Sequence, residues 1–164
     1  MPFFRDLADR SQKFMDGMAL EFKRHTDMAT LRAAVGIVLR TGYNDGDFDG
    51  SEKKKGMAVL TSHPMMAHFK RTDILKLWSE LDAMYAIDVD MGNSLADEWL
   101  TGAAGKPEAV RRVIVTLGCA VGGADGNFDA GEVTVVAQSS RLMNINPAHI
   151  PPLALAAEAN GVKL

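Results

Sequence analysis

The chain has 164 residues, 47% hydrophobic and 24% charged, with a net charge of −3. That suits one domain with a real core, and it argues against nucleic-acid binding, since no basic stripe with interleaved aromatics occurs. No apolar run reaches the roughly eighteen residues of a membrane span, and the single cysteine, Cys119, excludes an internal disulfide and fits a reducing, cytoplasmic compartment.

In chain order, Phe3, Phe4, Leu7, Phe14, Met15, Met18 and Phe22 fall on one face of an amphipathic first helix. That helix docks on the bundle or, alternatively, makes peripheral contact with a membrane or partner. The early charges Arg5 and Asp6 do not suit a secretion signal. Ala29 to Leu39 reads as a core helix. Ser51 and Glu52 start another, ending near His63-Pro64, because proline disfavours helix in the residue before it. Lys53-Lys54-Lys55 reads as a solvated helix face. Thr72-Asp73 caps a long helix with Ile74, Leu77, Trp78, Leu81, Met84 and Tyr85 as its core stripe. Asp88 to Ser94 reads as a turn and cap, and Leu95 and Trp99 mark a short helix. Pro107 opens a helix to about Val121, and another runs from Gly131 to about Met143. Asn160-Gly161 closes the last helix. No segment alternates with period two for long enough to make a strand.

Two stretches stand out. Asp45-Gly46-Asp47-Phe48-Asp49-Gly50-Ser51-Glu52 returns as Asp125-Gly126-Asn127-Phe128-Asp129-Ala130-Gly131-Glu132, at an offset of 80 residues. The same offset aligns Ala29 with Ala109, Arg32 with Arg112, Val35 with Val115 and Gly42 with Gly122. A match that spreads into both flanks reads as internal duplication. The expected architecture is therefore all-α. It is a helical bundle built from two helix–acidic loop–helix units related by a pseudo-twofold axis. The expected domain is a single one over residues 1–164, with a first repeat at about 29–62 and a second at about 109–142.

Residues i, i+2 and i+4 of a turning backbone can aim side-chain oxygens at one centre. Hard cations such as Ca²⁺ accept six to eight oxygen ligands in irregular geometry. The candidate metal ligands are Asp45, Asp47, Asp49 and Glu52 in the first loop, and Asp125, Asn127, Asp129 and Glu132 in the second. The first loop opens like an EF-hand. It then departs, with Gly56 where an EF-hand places its last glutamate and Glu52 four residues earlier. The first loop has one more carboxylate and is the stronger candidate. Helix capping and turn formation alone would also place Asp and Gly here. Phe48 and Phe128 lie between candidate ligands. Alternation along the loop sends each ring away from the cation and into the core.

Taken together, the chain resembles the TerB family of tellurite-resistance proteins. The resemblance rests on Phe3-Phe4, Asp88-Val89-Asp90 before Gly92, and Pro107-Glu108-Ala109. It extends through Ala124-Asp125-Gly126-Asn127-Phe128-Asp129 with Glu132, and Asn146-Pro147-Ala148. It implies a non-enzymatic, stress-response or phage-defence protein that binds a divalent cation at the eight loop positions: calcium first, magnesium or another divalent ion second. It also implies protein partners, among them a TerC-like integral membrane protein, and a location in the cytoplasm or at the inner face of the membrane.

Three functions compete: a cation-dependent adaptor or sensor, a metal-dependent hydrolase, and a structural protein whose loops bind nothing. The four histidines have no zinc-ligand spacing with Cys119, and no phosphate loop, nucleophile elbow or Ser/His/Asp pattern is present. Cys119 lies in an apolar run and reads as a buried structural thiol.

Overall fold

A helix that is apolar on every side has to be covered on every side. That is the situation of residues 33–39 in Met28–Gly42 (α1), where Ala33, Ala34, Val35, Ile37, Val38 and Leu39 are all fully buried, as is Leu31, while Arg32 is exposed. The computed structural model describes residues 26–164, with Lys13 and Gly17 ahead of them. The amphipathic helix expected over Phe3 to Phe22 lies outside the described residues, apart from those two positions.

Six further α-helices follow α1 among the described residues: Gly50–Ser62 (α2), Arg71–Ile87 (α3), Val89–Thr101 (α4), Glu108–Gly122 (α5), Ala130–Leu142 (α6) and Pro151–Ala159 (α7). Short 3-10 turns at Pro64–His68 and Pro147–His149 join them. No described residue is in a strand, so the expected all-α class stands. The α1 helix packs against α2, α3, α4, α5 and α6. Glycines lie at two of these contacts. A Cβ on Gly36 would touch Ala96 and Trp99 of α4, and one on Gly118 of α5 would stand 2.9 Å from the Ile37 side chain of α1. The Arg40–Asp97 ion pair, 3.2 Å, adds a polar tie between α1 and α4.

Two boundaries differ from the sequence expectation. The α3 helix begins at Arg71, one residue before Thr72-Asp73, with Lys70 at the N-cap and no side-chain cap. The α4 helix starts at Val89 rather than near Leu95, because Asp88 caps it through the Asp90 and Met91 N–H groups. Gly92-Asn93-Ser94 looked like a turn. It is helical, and Gly92 serves contact: a Cβ there would lie 2.3 Å from the Tyr85 ring, whose hydroxyl donates to Asn93.

The loop phenylalanines use glycine in the same way. A Cβ on Gly42 would stand 2.5 Å from the Phe48 ring, and one on Gly122 would stand 2.4 Å from the Phe128 ring. Phe48 is 6% exposed, edge-on to Tyr43 at 5.2 Å and tilted against Trp78 at 6.2 Å. Phe128 is only half-buried against the core. Gly123 occupies the position equivalent to Tyr43, so among the described residues Phe128 has no such aromatic wall.

Phe48→Ala should therefore cost about 3–5 kcal/mol, in the range of buried Phe truncations. Phe128→Ala should cost clearly less. Gly42→Ala should also destabilise, by about 1–3 kcal/mol, since the added methyl displaces the ring. Urea denaturation of the three variants tests the ordering; equal costs at Phe48 and Phe128 would contradict it.

Candidate functional site

Each acidic loop starts where a core helix stops. After α1 the Tyr43 N–H donates to the Leu39 carbonyl, and Gly46 turns back to the Tyr43 carbonyl with φ of 87°. After α5 the Gly123 N–H donates to Cys119, and Gly126 turns back to Gly123 with φ of 82°. Only glycine adopts that left-handed conformation without strain. Beyond the turn, Asp45 accepts from the Asp47 N–H and Asp125 from the Asn127 N–H, 3.0 Å in both loops. These are Asx turns.

The next helices are entered by reciprocal caps. Asp49 Oδ1 accepts from the Glu52 N–H at 2.8 Å while Glu52 Oε2 accepts from the Asp49 N–H at 2.9 Å. Asp129 and Glu132 repeat the pattern at 2.8 and 3.0 Å. This capping box satisfies N–H groups that a helix start leaves bare. Glu52 and Glu132 thus lie in the first helical turn and reach back to the loop. Each of these four carboxylates uses one oxygen in its capping box.

The two loops lie side by side. A cleft of about 130 Å³ is lined by Asn44, Asp45, Glu52 and Lys55 from the first unit, and by Asp125, Asp129 and Glu132 from the second. The structure thus gathers five of the eight sequence candidates around one cavity. Asp47, Asp49 and Asn127 are exposed and do not line it. Asn44 reaches Gly131, where a Cβ would be 3.0 Å from its Oδ1. Among the described residues, no three His, Cys, Asp or Glu side chains stand close enough together to hold a metal ion as they are placed here.

The two loops also meet electrostatically. Burial pushes the Glu132 carboxyl up to about 7; the Asp129 N–H opposes this, and the charges of Asp129, Asp125 and Asp45 add to it. Asp45 comes from the other loop, so one negative field spans both.

The tellurite resistance protein TerB family model matches residues 31–153, most of the chain and both loops. The chain belongs to the TerB family. No curated protein and no solved structure matches it.

In this TerB chain, two polar residues of the cleft, Asn44 and Lys55, were not among the sequence candidates. Lys55 follows Glu52 by three positions and so shares its helix face; that spacing was the available signal. Asn44 adjoins Asp45, but nothing in its type marked it. Lys53 departs from the solvated face expected for the lysine run. It pairs with Asp82 of α3 at 3.1 Å and lies 5.6 Å from the Tyr43 ring centre. Tyr43 donates to the same Asp82 at 2.6 Å and stacks on Tyr85 at 4.1 Å. Cys119 is buried as expected, and burial pushes its thiol up to about 12. It is protonated at neutral pH, whereas thiol chemistry requires a thiolate. No described helix is long and apolar enough to cross a membrane.

The Glu132 shift fixes a pH dependence. Its folded value, about 7, lies above its ordinary 4.5. Between those values the folded protein holds a proton that the unfolded chain has released, so stability falls as pH rises through this window. Glu132→Gln keeps an oxygen for the Asp129 N–H and should flatten this part of the profile. Urea midpoints from pH 4.5 to 8, in chelator-treated buffer, test it. A profile identical in parent and variant would show that Glu132 is not the group responsible.

Proposed function

We propose that this protein is a non-enzymatic, divalent-cation-binding adaptor or sensor of the tellurite-resistance and stress-response type, and that calcium is its cation. The observation that carries the reading is the convergence of Asp45, Glu52, Asp125, Asp129 and Glu132 on one cleft. The donor set fits the ion: its carboxylates supply hard oxygen, with no thiolate or imidazole, as calcium prefers. A cation would neutralise the repulsion from Asp129, Asp125 and Asp45 that adds to the effect of burial on Glu132. Asp47, Asp49 and Asn127 complete the proposed ligand set from the loop rims. The matched Asx turns and capping boxes of the two loops support a paired site, with oxygens delivered from both sides as a pseudo-twofold relation of the units would require.

The adaptor reading supplies the rest: protein partners, a TerC-like integral membrane protein among them, at the cytoplasmic face of the membrane. The residues before Thr26 would supply any peripheral membrane contact. Phe48 connects the first loop to Tyr43 and Trp78, so ordering of that loop has a route into the helices that a partner would touch.

A metal-dependent hydrolase is the second reading, favoured by Lys55 in the cleft and by a Glu132 carboxyl near neutrality, where a general base works best. A hydrolase screen with Mg²⁺ or Mn²⁺ tests it; turnover lost in Glu132→Gln would replace the adaptor reading.

Calorimetric titration of chelator-treated protein should show calcium binding. At calcium a hundred times Kd, stability should rise by about 2.7 kcal/mol. Asp45→Asn and Asp125→Asn keep the oxygens of the Asx turns and remove the charge, and each should weaken binding. No binding heat and an unchanged Tm in the parent would leave the loops as caps and turns only.

A further inference from the structure

The two loops have the same internal hydrogen bonds but are held from outside in different ways. The first is tied to α3. Tyr43 stacks on Tyr85 and donates to Asp82, Lys53 pairs with Asp82, and Phe48 is buried beside Trp78. Among the described residues none of this recurs in the second loop, where Gly123 and Val133 stand at the positions equivalent to Tyr43 and Lys53.

The second loop is held at its back by the end of the chain. Asn160 follows the last turn of α7, and its amide donates to the Phe128 carbonyl at 2.7 Å and to the Ala156 carbonyl at 2.8 Å. Phe128 is the middle residue between Asn127 and Asp129. Among the described residues, no side chain donates to the corresponding Phe48 carbonyl. Asn160 is itself fixed by a helix stop. The Gly161 N–H donates to Glu158, and the Val162 N–H to Ala157, with Gly161 at φ of 65°. That pair of bonds is a Schellman motif. Val162 and Leu164 then pack against the core.

We propose that Asn160 is a positioning residue for the second acidic loop, and that the end of α7 acts as a latch on that loop alone. The first loop is the fixed half of the cleft and the second is the half that opens. The consequence for a bound cation rests on the calcium reading above. The latch is a matter of loop order and stands apart from it.

Asn160→Leu is similar in size and removes both donors at an exposed position. Hydrogen exchange of the metal-free protein, resolved by residue, reads the result. The amides of Asn127, Asp129 and Glu132 should exchange faster by about two- to tenfold, the range for loss of one hydrogen bond. The equivalent amides of Asp47, Asp49 and Glu52 serve as the internal control and should not change. Equal acceleration at both loops, or none at the second, overturns the latch. In a second arm, calcium is titrated while exchange is followed. The variant should need more calcium than the parent to protect the second loop. If the second loop exchanges faster yet both proteins need the same calcium, Asn160 does not position the ligands. If calcium protects neither loop in the parent, the cation reading fails and the latch is judged on the metal-free exchange.

Discussion

The contact on which the loops depend is a phenyl ring laid on a bare Cα. Gly42 and Gly122 end the two core helices, and Phe48 and Phe128 occupy the space that their side chains would fill. This close approach pins the middle of each loop to the helix before it. Acidic residues on either side of the ring are thereby left toward solvent and the cleft. An apolar anchor is what allows so polar a segment to hold one shape. Without it, a run of like charges favours an expanded loop.

Backbone donors do the remaining work of holding carboxylates near one another. The Asx turns and capping boxes give Asp45, Asp125, Asp49, Asp129, Glu52 and Glu132 an N–H partner each. Asp49 and Asp129 also lie at helix N-termini, where the helix dipole favours negative charge. Capping and ligand supply are thus compatible roles for one side chain, since a carboxylate has a second oxygen. Lys55 brings a positive charge into the cleft beside the five carboxylates.

The two loops face each other because of the helices that deliver them. Gly118 lets α5 settle on Ile37 of α1, and α2 also touches α5. Loops leaving the same ends of two closely packed helices share a neighbourhood. The Asp45 charge can then act on Glu132, although the two lie 87 positions apart in sequence (132 − 45). Among the described residues the outer ties differ, aromatic and ionic on one side and an amide hydrogen bond from Asn160 on the other, so equal local structures are held by unequal surroundings.

Local patterns determined much of this protein. Apolar content without alternation set the all-helical class. Glycine, proline and capping residues set most helix ends, because those signals act over one turn of chain. The repeated Asp-Gly-x-Phe-Asp stretch named the eight candidate positions and placed Glu52 and Glu132 in the first helical turn. Tertiary structure decided what distance in sequence conceals. It put Gly92 under the Tyr85 ring instead of in a turn, and drew Lys53 to Asp82 instead of leaving it in water. It buried Phe48 more deeply than Phe128, because a tyrosine stands where the other unit has glycine. It also merged two loops into one cleft while leaving Asp47, Asp49 and Asn127 outside its lining. Periodicity tells which side of a helix is apolar, but which neighbour covers that side is settled only when all the helices compete for the same core.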